Sequence, residues 1–243
     1  MKMRVDKFLT ATATATRSEA AKAAKQGRIL VNGTVCKSTS MQINPETDKV
    51  MFDGEEVIYK KYIYIMLNKP TGYVSATDDG KEKTVLDLLP QKFRAMGLFP
   101  CGRLDKNTVG LMLLTNNGEL GHKLLSPKYH VSKIYRYGAE KPLSDEDVDR
   151  LENGVSILGG YITKPAKVTL DADRTNGEIC ITEGKYHQIK LMFEAVDNKI
   201  VFLERVVFGP LVKDENLARG EWRHLTKEEE TKLESHCNYE ENT

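Results

Sequence analysis

The sequence holds no apolar run approaching the roughly 20 residues needed to span a bilayer. Its start, MKMRVDKFLTATATATRSEA, is basic but lacks the apolar stretch of a secretory signal. A cytoplasmic protein with no membrane partner is therefore expected. Cysteine is scarce. Cys36, Cys101, Cys180 and Cys237 lie far apart and none belongs to a C-x-x-C pair, which argues against both a disulfide framework and a zinc site. Buried or incidental thiols are expected instead. The histidines His122, His130, His187, His224 and His236 are not spaced like metal ligands. There is no G-x-G-x-x-G after a strand and no G-K-[ST] loop. No cofactor is expected. The one low-complexity stretch is the short TATATAT run at 10–16.

What is present is ordinary in bulk and uneven in detail. The 243 residues are 40% hydrophobic and 29% charged, the composition of a folded globular chain. That length allows one large domain or two unequal ones. The net charge of +1 argues against nucleic-acid binding, but its distribution does not. Residues 1–40 carry eight basic side chains against two acidic ones, whereas residues 227–243 carry six acids against two lysines. An acidic tail masks a basic head, and local charge governs attraction to phosphates.

The first 58 residues read as a separate module. Val5, Phe8 and Leu9 mark one face of a first helix, with Asp6 in its first turn. Ser18 is the expected N-cap of a second helix, EAAKAAKQ, which Gly27 should stop. RILVNGTVC and KVMFDGEEVIY then read as hairpins turning on Asn-Gly and Asp-Gly. Residues 54–61 read as linker, and 62–243 as a second, larger domain. Its expected strands are YIYIMLNK, TGYVSATDD, 110–115, 133–139, 164–170, 177–182 and 200–208. Its expected helices are 84–89, 117–125, 144–152, 187–196 and 226–235. Strands dominate without regular alternation, so the expected fold class is α+β, with a mainly antiparallel mixed sheet in the larger domain.

The densest chemical signal is CGRLDKNTVGLMLLTNNG, residues 101–118. Asp105 stands between Arg103 and Lys106 and is bracketed by Gly102 and Gly110. Flanking cations favour a carboxylate, and glycine lets a substrate approach the backbone. The window 101–136 carries six basic side chains against two acidic ones. A lone loop aspartate is commonly only a turn residue, and local chemistry by itself leaves both readings of Asp105 open. The basic head is similarly two-sided. Lys22 and Lys25 share a helix face with Arg28 close behind, which suits a solvated surface or a phosphate-binding one.

Family resemblance separates these readings. R-x-D-K-F, R-S-E-A and G-R-I-L-V-N-G, over roughly the first 50 residues, resemble the S4 RNA-binding domain. GRLDKNTVGLMLLTNNGELGHKL resembles the signature of the pseudouridine synthases, in the RsuA-type branch. The resemblance implies that Asp105 is the catalytic nucleophile. It places Tyr135, in SKIYRY, over the target base as a candidate general base. It places Lys190, in EGKYHQIKLMF, facing Asp105. His187 helps to shape the site or serves equally in packing. With NKPTGYV, LERVVFGPL and GEWRHLT it runs over essentially the whole chain. The RNA contacts it implies are Arg4, Lys7, Arg17, Lys22, Lys25 and Arg28 in the small domain, and Arg103 and Lys106 beside the nucleophile.

The expected activity is isomerisation of uridine to pseudouridine in ribosomal RNA, on free RNA or a pre-ribosomal particle, by a monomer. The short chain and the YVSATDD segment favour small-subunit (16S) RNA over the large-subunit (23S) alternative. A non-enzymatic RNA-binding assembly factor is the rival that the basic head alone would fit. Three positions depart from the family pattern. Leu191 replaces a second basic residue, Asp197 a usual glycine, and Glu204 a frequent histidine.

Overall fold

A computed structural model of the chain describes residues 2–239. Glu240 and Glu241 of the acidic tail, and the Cys237 side chain, lie outside what is described. The chain divides into two compact units, one of Met1–Ile63 with Leu89–Leu98 and one of Tyr64–Leu88 with Phe99–Thr243. Residues 89–98, read from sequence into the larger domain, thus group with the smaller unit.

In the first unit, α1 (Val5–Ala11) buries Val5, Phe8 and Leu9, and α2 (Arg17–Lys25) buries Ala20, Ala23 and Ala24. Both sets follow the spacing of one helical face. The N-cap of α2 is Thr16, not Ser18. Thr16 has a glutamate three residues on, and Thr16 and Glu19 form a reciprocal capping box that Ser18 cannot form with Ala21. Strands Ile29–Val31 and Thr34–Val35 turn on Asn32 and Gly33, at φ 51° and 79°. Val50–Phe52 and Glu55–Glu56 turn on Asp53 and Gly54, at φ 52° and 85°. These are the left-handed pairs that two-residue hairpins need. The two hairpins join as one four-stranded antiparallel sheet. Phe8, Leu9, Ile29 and Ile43 anchor its core at 0–1% exposure, each contributing about 2 kcal/mol by burial.

The second unit is built on one large sheet. Its principal strands are β1 (Tyr64–Lys69), β2 (Val109–Thr115), β3 (Lys133–Ala139), β4 (Lys167–Leu170), β5 (Asn176–Ile181), β6 (Ile200–Phe208) and β7 (Trp222–His224), in the order β4-β5-β3-β6-β2-β1-β7. Phe99–Pro100 and Leu211–Val212 pair at its margins. Neighbours run antiparallel except β6 and β2. Every residue of β1 and β2 is buried, which accounts for their unbroken apolar texture. The helices are α3 (Gly118–Leu125), α4 (Asp145–Asn153), α5 (Gln188–Glu194) and α6 (Lys227–Tyr239). None of the described helices is long and apolar enough to cross a membrane. The arrangement is the α+β one expected, with a mainly antiparallel mixed sheet.

Two expectations need correction. Residues 71–79 are not a strand: they form turns with a single bridge, Val74 to Thr84. Their hydrogen-bonding groups go elsewhere. Gly72 N–H donates to the Lys106 carbonyl, and Ser75 Oγ bonds the backbone of Leu104 in both directions. The 84–89 helix shortens to one 3-10 turn, Val85–Leu88. Asp197 takes φ 54°, which explains a glycine preference there and why aspartate is tolerated. Glu204 is buried between Lys213 and Arg219, at 3.3 and 3.1 Å, so its departure from the family pattern is compensated locally.

Gly110 sits where β2 meets both β1 and β6, opposite Lys69 and Arg205. Its φ is 100°, and a Cβ there would lie 2.3 Å from the Arg205 carbonyl oxygen. Gly110→Ala is therefore expected to destabilise the protein by roughly 3 kcal/mol or more, through strain and overlap together. The urea unfolding midpoint measures this; an unchanged midpoint would mean that the β2–β6 contact is not tight.

Candidate active site

The loop 101–108, between Phe99–Pro100 and β2, carries Asp105. Its shape is set from below by Lys69, the last residue of β1. Lys69 is wholly buried, and its Nζ donates to the carbonyls of Thr108, Asp105, Pro70 and Lys106 at 2.9, 3.0, 3.1 and 3.3 Å. Asp105 O also accepts from Thr108 N–H, 3.0 Å, closing a turn. An ammonium has three protons, so at least two of the four carbonyls share one of them. Burial, assisted by the nearby positive charges of Lys190 and Arg205, lowers the Lys69 pKa to about 8, with Asp105 opposing the shift.

The Asp105 carboxylate projects from this frame with about a quarter of the side chain exposed. Lys190 Nζ, on α5, lies 2.6 Å from Oδ2, and His187 Nε2 lies 3.4 Å from Oδ1. His187 precedes α5 with φ 48°, a left-handed conformation that costs a non-glycine residue about 1–2 kcal/mol and persists where its surroundings require it. Tyr135, on β3, lies opposite Arg205 of β6 and is buried, facing the same cleft. Arg205 is buried too. Its Nε donates to the Leu111 carbonyl at 2.8 Å and its guanidinium lies over Phe208. Lys133, beside Tyr135 on β3, bonds the Val131 carbonyl, and burial lowers its pKa to about 8.

Asp105, Tyr135, Lys190, His187, Lys133, Arg205 and Arg103 all line one cleft of about 800 Å³, within the size range of ligand sites. The cations around Asp105 are not those read from its neighbours in sequence. Lys106 pairs with Glu82 at 2.7 Å, and Arg103 is exposed. The cation on the carboxylate is Lys190, 85 residues away. Sequence reasoning missed Lys69 and Arg205. The signal for Lys69 was a lysine ending an otherwise apolar strand; for Arg205, a lone charge beside Glu204 within IVFLERVVF. Among the described residues, no group of three or more His, Cys, Asp or Glu side chains is placed to hold a metal ion.

In the first unit, Arg4 pairs with Asp6 and Arg28 with Asp53, both at 2.7 Å. Lys7, Arg17, Lys22 and Lys25 are exposed, the last three on α2.

A carboxylate held by a lysine in a deep cleft lined with cations is an enzyme site suited to an anionic substrate. Residues 63–195 match the model of the RNA pseudouridylate synthase family, and residues 3–49 match the S4 domain. An uncharacterized RNA pseudouridine synthase of Bacillus subtilis is 46% identical over 93% of this chain and 96% of its own length. The ribosomal small subunit pseudouridine synthase A of Haemophilus influenzae is 40% identical, over 95% of this chain and 99% of its own. A crystal structure of a pseudouridylate synthase covers 95% of this chain and 99% of its own, with 39% identity and a TM-score of 0.67. The chain belongs to the RNA pseudouridylate synthase family. It is a pseudouridine synthase of the RsuA type that carries an S4 domain.

A lysine with a pKa of about 8 is charged at neutrality and loses its proton as pH rises through that value. The neutral amine has two protons for four carbonyls, so the Asp105 loop should loosen on the alkaline side. The rate of pseudouridine formation is expected to hold from neutrality to about pH 8 and fall beyond it. Lys69→Met should be slow at every pH and lack that limb. A limb that persists in Lys69→Met assigns the titration to another group, such as Lys133.

Proposed function

We propose that this enzyme isomerises a uridine at a fixed site in small-subunit (16S) ribosomal RNA, free or in an assembling particle, with Asp105 as nucleophile. The observation that carries the reading is the Asp105–Lys190 contact of 2.6 Å in the lining of the cleft. The relatives named for the small ribosomal subunit, near 40% identity over nearly the whole chain, support the choice of RNA.

The reaction breaks the C1′–N1 bond, turns the uracil and joins C5 to C1′. The C5 proton leaves and N1 ends protonated, so atoms balance without an oxidant or group donor. Asp105 acts at the ribose, by adding to C1′ or by a route through a glycal. Lys190 aims the carboxylate through a charge-assisted hydrogen bond, worth about 1.5–3 kcal/mol in general. The lower end suits this pair, whose side chains are 26% and 27% exposed. Tyr135 stacks on the uracil and assists removal of the C5 proton. The target leaves its stack to enter the cleft, which costs a few kcal/mol. Arg103 and Lys106 contact the flanking phosphates, Lys106 by exchanging Glu82 for RNA. Arg4, Lys7, Arg17, Lys22, Lys25 and Arg28 of the S4 domain add affinity, not chemistry.

Asp105→Asn keeps the shape of the side chain and removes its charge. It is expected to give no turnover above background while retaining RNA binding; measurable pseudouridine from this variant would end the nucleophile assignment. Chemical mapping of pseudouridine on both ribosomal RNAs of cells lacking the protein should show one site lost from 16S RNA. Loss from 23S RNA instead would move the target. In Lys22→Ala/Lys25→Ala, the salt dependence of binding should flatten by about one unit of log–log slope for each phosphate contact removed.

A further inference from the structure

The cleft has an aromatic wall that the reaction above does not use. Tyr186 is 64% exposed, yet its ring lies flat against the His187 imidazole, with centroids 3.9 Å apart and planes within 17°. An edge of that imidazole reaches Asp105, Nε2 to Oδ1 at 3.4 Å. His187 thus presents an edge to Asp105 and a face to Tyr186, whose ring is largely exposed to solvent.

The turn that presents this stack is held from inside. Gln188 is buried; its Oε1 accepts from Lys185 N–H at 2.9 Å and its Nε2 donates to Glu183 Oε1 at 2.7 Å. Glu183, also buried, accepts from Lys164 N–H at 2.9 Å and Tyr161 O–H at 2.6 Å. The 183–188 turn is thus tied to the strand segment around Tyr161, and Lys185 Nζ lies 4.3 Å from the Tyr161 ring centroid. An apolar ring exposed by a disordered loop needs no explanation; one held in place on a bonded turn is preorganised for a partner.

We propose that the outer face of the Tyr186 ring is a stacking platform for the nucleobase adjacent to the target uridine in the RNA. The proposal rests on the reading of this cleft as the uridine site. A nucleobase is the occupant because the platform is an exposed ring stacked on the imidazole that touches the reacting carboxylate. The surrounding cleft also supplies Lys164, Lys185 and Arg103 for a phosphate chain. A π-face accepts any base, so the platform would add affinity and hold the strand beside the flipped nucleotide without setting sequence.

The test uses the full chain and two probes, in vitro transcripts of 16S and of 23S ribosomal RNA. Binding is measured in the Asp105→Asn background, where RNA is not consumed, and kcat/KM with Asp105 intact. Tyr186→Leu should raise Kd about 10-fold or more and lower kcat/KM by a similar factor, while Tyr186→Phe keeps both within about twofold. Tyr186 is exposed, so Tyr186→Leu should unfold at the unsubstituted midpoint, which separates a contact effect from misfolding. Unchanged affinity in Tyr186→Leu overturns the platform, as does equal loss in Tyr186→Phe, which would assign the effect to the hydroxyl. Failure of the uridine reading looks different: turnover by Asp105→Asn, or transcripts that bind with Tyr186 dependence and are never modified. Transcripts that neither bind nor react overturn both.

Discussion

The site depends on one buried ammonium. Lys69 gives up hydration entirely and is repaid by the backbone carbonyls of the loop that carries Asp105. Loops are ordinarily the mobile parts of a fold. Here four carbonyls converge on a single charge at the end of β1, so the Asp105 loop inherits the rigidity of the sheet. The arrangement also leaves the carboxylate of Asp105 free for other partners, because the lysine takes its main-chain oxygen.

The second constraint is the one parallel pairing of the large sheet. β6 lies beside β2 only because Gly110 has no side chain to meet the Arg205 carbonyl. That contact sets Arg205 behind the loop and Tyr135 across from it on β3. Lys69, Arg205 and Lys190 reach the Asp105 neighbourhood from β1, β6 and α5. A carboxylate among three cations from three elements is costly to assemble and unlike a surface ion pair. Lys133, its pKa lowered by burial where it lines this cleft, fits the pattern of a functional site.

Much of the fold was legible in sequence because the elements obey simple periods. β3 and β6 were read with the bounds they have, and both hairpins followed from Asn-Gly and Asp-Gly. The misreadings have physical causes. The 71–79 segment has strand-like residues, but Gly72 and Ser75 bond the loop 104–106, a long-range preference no local pattern displays. The α2 cap moved from Ser18 to Thr16 because a capping box outweighs a lone hydroxyl. Asp105 was legible only through family resemblance. Its immediate neighbours pointed to Arg103 and Lys106, whereas Lys190 comes from another element altogether. Lys69 and Arg205 were hidden for a related reason: a buried charge inside an apolar strand looks like an edge residue until its partners are known.

The Asp105–Lys190 contact carries a tension. A nucleophilic carboxylate is weakened by every hydrogen bond it accepts, yet without one it would not be aimed. The geometry separates the two demands between its oxygens. Oδ2 is held at 2.6 Å by Lys190, whereas Oδ1 has only His187, at 3.4 Å and beyond a strong hydrogen bond. On the proposed mechanism, one oxygen is positioned and the other is left for the ribose. His187 can yield on that side at little cost, because its ring is supported by the Tyr186 stack and not by the carboxylate. The same left-handed residue that starts α5 thus leaves Oδ1 uncrowded and, on the proposed reading, carries the wall on which the neighbouring base would rest.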